Sequence, residues 1–186
     1  MNYRVTKYNP AYRNEKGWYM RDEWTDYSVA VKTGMKSEYD EYKSVEDLYI
    51  RYLHIGLQSA ADKTFTINWL ERYKNGIKKH INHLQDCNKE LLFKIRDNYK
   101  CSIAEVEDIA RLILRMLVWC TFDSMSSYVD FGYDYYMFVG GVYYDDKTIK
   151  DAALEGIYIE QMDSPMLYRC DIEYRNELMQ ASKKRC

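Results

Sequence analysis

The side chains that could hold a metal ion lie together near the middle of this sequence. His80, His83 and Cys87 are separated by three and four residues, so on a helix they would lie within about 60° of one another around the axis. Glu90 extends the same stripe, and imidazole, thiolate and carboxylate are all ligands of zinc. The CxxC and HExxH spacings that usually mark zinc sites are absent. We therefore expect no cofactor, and the sequence leaves metal binding by this stripe open.

The residue types used in covalent and acid–base catalysis occur without the spacing that such chemistry needs. No GxSxG sequence is present, and Cys87 is the only cysteine with histidines near it. Carboxylate pairs such as Asp145 with Asp146 and Asp130 with Asp134 are weak indications of general acid–base catalysis in a chain rich in carboxylates. We expect that the protein is not an enzyme, although a small cytosolic enzyme stays open as an alternative.

Tyrosine is unusually frequent, with twenty in 186 residues. The stretch YVDFGYDYYMFVGG, Tyr128 to Gly141, contains four tyrosines, two phenylalanines and two aspartates. Tyrosine is common at protein interfaces and on surfaces that stack nucleic-acid bases, but base-stacking surfaces also carry Lys and Arg. No basic residue lies between Tyr128 and Tyr144, which favours a basic protein as the partner. About half of these rings, those alternating inward, are expected to be core.

Periodicity predicts the elements that position these residues. Ser102 and Glu105 form a capping box before an apolar stripe, which predicts a helix with Arg111 and Arg115 opposite the stripe. Residues 11–36 show no period and are expected to form an ordered loop. The other predicted elements are a strand at Tyr3–Tyr8, a helix at Glu38–Ala60 capped by Ser37 or Ser44, a strand at Thr64–Trp69, a helix at Ile77–Ile95, a hairpin at Ser127–Gly141, a strand at Gly156–Glu160 and a helix at Asp171–Lys183.

The order of these elements predicts the fold class. Strands cluster late in the chain, helices cluster in the middle, and no βαβ alternation occurs. We therefore expect an α+β fold in which helices pack on a mostly antiparallel sheet. At 186 residues and 22.4 kDa, the chain is expected to form a single domain spanning residues 1–186.

Composition predicts a cytoplasmic protein. The longest apolar runs are much shorter than the roughly 18 residues that a membrane span needs, and no apolar block follows the first charged residues. The five cysteines form no CxxC pair and are expected to be reduced.

Charge is unevenly distributed along the chain. Residues 71–100 contain eight basic and four acidic residues, whereas residues 101–174 contain fourteen acidic and five basic residues. An acidic surface repels phosphate backbones and suits a basic protein. The basic segment keeps open a nucleic-acid-binding module that uses a helix over residues 74–100.

Four short stretches together resemble a group of small bacterial proteins, the immunity proteins of contact-dependent growth inhibition and related polymorphic toxin systems. They are YRVTKYNP at Tyr3–Pro10, DEWTDYS at Asp22–Ser28, FGYDYYM at Phe131–Met137 and GIYIEQMDSP at Gly156–Pro165. The resemblance implies a non-enzymatic inhibitor that binds one cognate toxin domain in the cytosol and occludes its active site. Many such toxins are nucleases with basic surfaces.

The expected contact surface combines aromatic rings with carboxylates. Rings would supply buried anchors, and carboxylates would mimic or displace phosphate on the toxin. The predicted partner-binding residues are Tyr133, Asp134, Tyr135, Tyr143, Tyr144, Asp145 and Asp146.

Overall fold

The computed structural model of the chain describes residues 1–21, 26–132 and 135–165. Within these ranges it contains one seven-stranded sheet, in which every pairing is antiparallel, and six α-helices. The strands are β1 (Asn2–Thr6), β2 (Thr64–Arg72), β3 (Lys100–Ser102), β4 (Val118–Asp123), β5 (Tyr128–Phe131), β6 (Met137–Gly140) and β7 (Tyr158–Gln161). The helices are α1 (Tyr27–Thr33), α2 (Lys36–Ser59), α3 (Lys74–His80), α4 (Asp86–Lys94), α5 (Ile103–Leu114) and α6 (Asp146–Leu154). The predicted α+β class is confirmed.

The strands lie in the order β3, β2, β4, β5, β6, β1, β7. The first strand therefore lies inside the sheet, where Val5 pairs with Met137 of β6 and with Ile159 of β7. Alternate residues such as Phe65 and Val129 enter one continuous core with apolar residues of α2 and α5. Helices thus cover one face of the sheet, because side chains of successive strand residues point to opposite faces.

The predicted hairpin is confirmed as β5 and β6, but its burial differs from the expectation. All eight strand residues are buried, including Tyr128, Asp130 and Phe138, which lie on the face opposite α2 and α5. The inward-alternating Phe131 ring enters the core as expected, and the Tyr128 and Phe138 rings on the other face are buried in addition. On the sheet face away from α2 and α5, the Ser164 hydroxyl donates a hydrogen bond to the Asp130 carboxylate at 2.9 Å. The segment that follows β7 therefore covers this part of the sheet.

The helix after Ser102 is confirmed in detail. The Ser102 hydroxyl accepts from the Glu105 amide and the Glu105 carboxylate accepts from the Ser102 amide, which completes the predicted capping box. The apolar stripe is buried. Arg115 is not on an exposed face, however, because its side chain is only 8% exposed and pairs with Glu46 of α2.

Three predicted elements need correction. The helix predicted over Ile77–Ile95 is broken, because the chain passes from α3 through a 3₁₀ turn at Ile81–His83 to an extended Leu84 before α4 begins. The expected loop before Lys36 contains a 3₁₀ turn and α1, which is capped by Asp26. Helix α2 begins after Met35 without a side-chain cap, so neither Ser37 nor Ser44 is its N-cap. The helix predicted at Asp171–Lys183 lies outside the described residues.

Across the described ranges, none of the helices is both long enough and apolar enough to cross a membrane.

Candidate protein-binding site

The structure separates the predicted partner-binding residues into two environments. Tyr133 and Asp134 lie outside the described residues. Tyr143, Asp145 and Asp146 are exposed. The other two predicted residues, both tyrosines, are integrated into the protein interior.

Tyr144 is 2% exposed, and its hydroxyl donates a hydrogen bond to the carbonyl of Tyr52 at 2.8 Å. Its assignment as a surface contact is therefore wrong for this structure, because a partner cannot reach the ring. Tyr135 is half-buried; its hydroxyl donates to the carbonyl of Leu114 at 3.2 Å, and its own carbonyl accepts from Tyr49 at 2.6 Å. These hydroxyls satisfy backbone carbonyls in the interior, where an unpaired polar group is costly.

Local backbone geometry explains why Tyr143 faces outward. Gly141 turns the chain with a φ of +70°, and a Cβ at this position would lie 1.9 Å from the carbonyl oxygen of Ser126. Val142 then pairs with Met1, and side chains alternate so that Val142 and Tyr144 are buried while Tyr143 is 57% exposed. The Tyr143 amide donates to the Ser59 hydroxyl at 2.7 Å, which fixes the backbone below the ring.

Asp145 and Asp146 follow directly and begin α6. Asp145 is the N-cap, and its carboxylate accepts from the Thr148 amide at 2.6 Å. Asp146 occupies the first helical turn, where a negative charge is favourable because the unpaired amides there carry partial positive charge. Both carboxylates thus have a structural reason for their position in addition to any role in binding.

Residues that are distant in sequence complete the surface around Tyr143. Asp62, which follows α2, accepts a hydrogen bond from the Ser126 hydroxyl at 2.6 Å. Ser127, in the same turn between β4 and β5, donates to the carbonyl of Gly141. The residues around Asp62 and the β4–β5 turn therefore lie beside the chain that leads from Gly141 to Tyr143. Asn2 links Asp163 to Gly141 through its side-chain amide. We call this surface the acidic edge, and it consists of Asp62, Met125, Tyr143, Asp145, Asp146 and Asp163.

The acidic edge presents apolar groups among negative charges. Met125 is 99% exposed and Tyr143 is 57% exposed. Two lysines lie nearby: Lys63 donates to carbonyls at the end of α2, and Lys147 pairs with Asp151, although its charge also helps lower the pKa of Asp145. An exposed aromatic ring bordered by carboxylates is typical of a surface that contacts a basic protein.

Hydrogen bonds keep two of these carboxylates charged. The side-chain and backbone hydrogen bonds from Ser126 lower the pKa of Asp62, and those from Thr148 lower the pKa of Asp145. Both groups therefore stay negative at mildly acidic pH.

The acidic edge borders a polar groove of about 940 Å³ on the sheet face opposite α2 and α5. Asp62 and Met125 belong to both the acidic edge and the groove, and Ser126, Thr66 and Asp123 also line the groove. Asp123 is 9% exposed and accepts from Asn68 at 2.7 Å. Beyond Asp62, the described lining of the groove adds one carboxylate, that of Asp123, and one basic residue, Lys100.

The basic segment does not form one helix. Residues 74–100 comprise α3, a 3₁₀ turn, α4 and the start of β3, so the predicted basic helix is wrong. Several of its charges already have intramolecular partners: Lys89 pairs with Asp86, and Lys94 with Glu105.

The stripe for which the sequence left metal binding open is not continuous, because it assumed one unbroken helix over His80, His83 and Cys87. His80 ends α3 and is 1% exposed, whereas His83 and Cys87 are exposed beyond the break. Among the described residues, no group of three His, Cys, Asp or Glu side chains is arranged to hold a metal ion.

A serine and a histidine do meet, although no pattern in the sequence indicates it. The Ser28 hydroxyl lies 2.9 Å from Nε2 of His80. Nδ1 of His80 is buried and makes no hydrogen bond to the described part of the chain. In nucleophilic serine–histidine pairs a third group commonly orients the imidazole through this nitrogen.

Asp62, Met125 and Asp163 were not predicted from the sequence. Each is distant from Tyr143 along the chain, and the sheet order together with the hydrogen bonds of Asp62, Ser127 and Asn2 brings them together. The alternation of Val142, Tyr143 and Tyr144 is the one sequence signal that could have separated the exposed tyrosine from the buried one.

Comparisons of the whole chain with protein-family models, curated proteins and solved structures found no match.

Proposed function

We propose that this protein is a non-enzymatic immunity protein that binds a basic toxin domain, such as a nuclease, through the acidic edge and occludes the toxin's active site. The observation that carries the proposal is the exposed Tyr143 ring beside the Asp145 and Asp146 carboxylates. The resemblance of four stretches to immunity proteins supports the same function.

Physical chemistry supports a protein over a nucleic acid at this surface. Four carboxylates around Tyr143 and Met125 repel phosphate, and they accelerate encounter with a positively charged domain. Tyrosine and methionine supply contact area that excludes water from the charge pairs, as in interfaces dominated by a few residues. Binding is therefore expected to weaken as salt concentration rises, because salt screens exposed charges.

The decisive experiment compares the protein with a variant that lacks only the proposed contacts. Tyr143→Ala, Asp145→Asn and Asp146→Asn remove the ring and two charges, and asparagine preserves the α6 N-cap. Replacement of Asp145 by lysine would remove the cap as well and would confuse folding with binding. Both proteins, immobilised at low salt, are incubated with extract of the organism that encodes the chain, and captured proteins are identified by mass spectrometry.

The proposal requires that the unmodified protein, and not the triple variant, retain one stoichiometric protein. That protein must arrest growth when it is produced alone and must not do so when this chain is produced with it. Capture of the same proteins by both forms, or a captured protein without toxicity, contradicts the proposal. Recovery of RNA by both forms would instead favour the basic segment.

A further inference from the structure

A small cavity lies where the start of α1, the connection from α5 to β4 and the end of β5 meet. Its volume is about 140 Å³. This is close to the roughly 150 Å³ of a protein cavity that accommodates benzene. The cavity therefore has room for one compact organic group.

The walls of the cavity combine aromatic rings with one carboxylate. Tyr73, Trp119, Phe131 and Tyr135 line it, and Asp26 is the only charged residue among the described residues that do so. One oxygen of Asp26 accepts from the Val29 amide at 3.0 Å as the N-cap of α1. Most of the remaining lining is aliphatic.

We propose that this cavity binds a small organic cation, an alkylated ammonium group. Aromatic rings attract a cation through their quadrupole, and ammonium groups with methyl substituents are desolvated at low cost, so several rings around one cavity suit them. Asp26 supplies the compensating negative charge. An anion is disfavoured, since no Lys, Arg or His occurs among the described lining residues, and a neutral apolar group would desolvate Asp26 without compensation.

Two of the rings are held in place before any ligand binds. The indole N–H of Trp119 donates to the carbonyl of Phe131 at 2.8 Å. The Tyr135 hydroxyl donates to the carbonyl of Leu114, and the Tyr135 carbonyl accepts from Tyr49. Binding to such fixed rings loses little conformational entropy.

Backbone strain at the cavity is a second, independent observation. Four described residues other than glycine have positive φ, and two of them, Met116 and Tyr135, both at +57°, line this cavity. Left-handed backbone is costly for such side chains and tends to persist at ligand sites, where surrounding contacts enforce it.

One cation already lies near a ring of this group. Lys7 Nζ lies 5.5 Å from the Tyr135 ring centroid, and Lys7 is not part of the lining. No corresponding Lys or Arg contact to Trp119 or Phe131 occurs in the described part of the chain. The proposed ligand is therefore expected to interact mainly with rings other than Tyr135.

The test measures binding of tetramethylammonium chloride and of its uncharged analogue 3,3-dimethylbutan-1-ol to the intact chain. The readout is the ¹H–¹⁵N signal of the Trp119 indole, assigned by its loss in Trp119→Phe, with sodium chloride as the ionic-strength control. A saturable shift with tetramethylammonium, and at least roughly fivefold weaker binding of the alcohol, is expected. Equal binding of the two probes, or no saturable shift, would overturn the proposal.

Two variants separate the charge from the rings. Asp26→Asn retains a residue that caps α1 and is expected to weaken tetramethylammonium binding roughly fivefold without affecting the alcohol. Tyr73→Leu keeps the charge and is expected to weaken the cation more than the alcohol. Asp40→Asn, on the exposed face of α2, serves as the matched control and should bind as the unmodified chain does. Unchanged cation affinity in Asp26→Asn or in Tyr73→Leu contradicts the assigned site, and none of these outcomes depends on the toxin partner.

Discussion

The carboxylate of Glu46, in the middle of α2, accepts two hydrogen bonds from the Arg115 guanidinium at the end of α5, at 2.7 and 2.8 Å. The Glu46 side chain is fully buried and that of Arg115 is 8% exposed. Arg111 and Tyr42 donate to the same carboxylate. A buried bidentate ion pair therefore joins the two helices that cover the sheet.

Removal of either partner of this pair should strongly destabilise the fold. Arg115→Met leaves the Glu46 carboxylate buried with fewer partners, and Glu46→Met does the same to Arg115, so each should lower the free energy of unfolding by about 3–5 kcal/mol. The double variant should lose clearly less than the sum of the two losses, because it leaves neither member of this pair unpaired. Urea denaturation of the four proteins measures this coupling; additive losses would show that the pair is not coupled.

The same pair predicts a dependence on acid. Burial alone would raise the pKa of Glu46, but hydrogen bonds and charge from Arg115 and Arg111 outweigh it and hold that pKa below its usual 4.5. A carboxyl group with a lowered folded-state pKa contributes stability above its unfolded-state pKa, and this contribution is lost as pH falls further. The destabilisation caused by Arg115→Met should therefore be full at pH 7 and shrink as pH falls below 4.5, because acid removes from the unmodified chain the charge pairing that the variant already lacks; urea denaturation of both proteins across this range measures the change.

His80 predicts a second pH effect, closer to neutrality. Burial first, and then the charges of Lys79 and His83, lower the pKa of His80 below 6.5, with Asp26 opposing them. The unfolded chain therefore binds a proton at a pH where the folded chain does not, so stability is full above about pH 6.5 and declines as pH falls toward the folded-state pKa. Urea midpoints at pH 7.5, 6.5 and 5.5 should show this decline.

The decline should be smaller in His80→Gln, which can still meet the Ser28 hydroxyl but does not titrate. His83→Gln, in which an exposed histidine of the same segment is replaced, is the matched control and should keep the decline. If His80→Gln shows the full decline, another group is responsible.

Gly140 is predicted to be indispensable because of its neighbour on β5. A Cβ at Gly140 would lie 1.9 Å from the ring of Tyr128, with which Gly140 pairs across the hairpin. Gly140→Ala should therefore lower the free energy of unfolding by about 1–3 kcal/mol through overpacking. Thermal unfolding measures this loss.

Two further proteins identify the cause of that loss. In a Tyr128→Ala background, Gly140→Ala should cost much less, because the ring that it meets is gone. Gly132→Ala is the matched control, since the nearest atom to its Cβ would lie at an ordinary 3.4 Å. An equal cost of Gly140→Ala in both backgrounds would contradict the proposed contact.

Substitutions of Tyr143 and of Tyr144 should have opposite effects: the first should weaken partner binding, and the second should lower stability. Tyr143→Ala removes an exposed ring, so it should change the free energy of unfolding by less than about 0.5 kcal/mol and weaken capture of the proposed toxin by tenfold or more, on the order of a hot-spot residue. Tyr144→Phe removes one hydrogen bond to the Tyr52 carbonyl, which lies within α2 and keeps its helical donor, so it should cost about 0.5–1.5 kcal/mol and leave affinity unchanged. Urea denaturation and titration calorimetry on both variants check this, and the reverse pattern would remove Tyr143 from the binding surface.

Local sequence patterns were sufficient to predict those elements that depend on interactions between residues close together in the chain. The capping box of Ser102 with Glu105, the apolar stripe of α5 and the hairpin of β5 and β6 all depend on residues within a few positions of one another. For the same reason α2 was predicted to within two residues at its start and one at its end. These elements specify the α+β class without knowledge of the packing.

Tertiary packing determined the structure of those segments whose local sequence patterns are ambiguous. No helix-breaking residue lies between His80 and Asp86, yet the chain leaves the helix there, where His80 packs against Tyr27 and lies beside Ser28. Periodicity placed Arg115 opposite the apolar stripe of α5, but the structure buries it against the Glu46 carboxylate of another helix, which no local pattern indicates.

The tyrosines also show which properties can be predicted from the sequence and which depend on tertiary packing. Their number could be read from the sequence, but not which rings are anchors for a partner and which are internal supports. A tyrosine ring suits an interior or an interface equally well, and its hydroxyl needs a partner in either place. The positions of the carbonyls of Tyr52, Leu114 and Tyr135 decide it, because they lie in the interior where tyrosine hydroxyls can reach them. The sequence thus determined the charge of this protein and those elements that depend on local interactions, whereas contacts between distant segments determined where the other helices break and which side chains remain on the acidic edge.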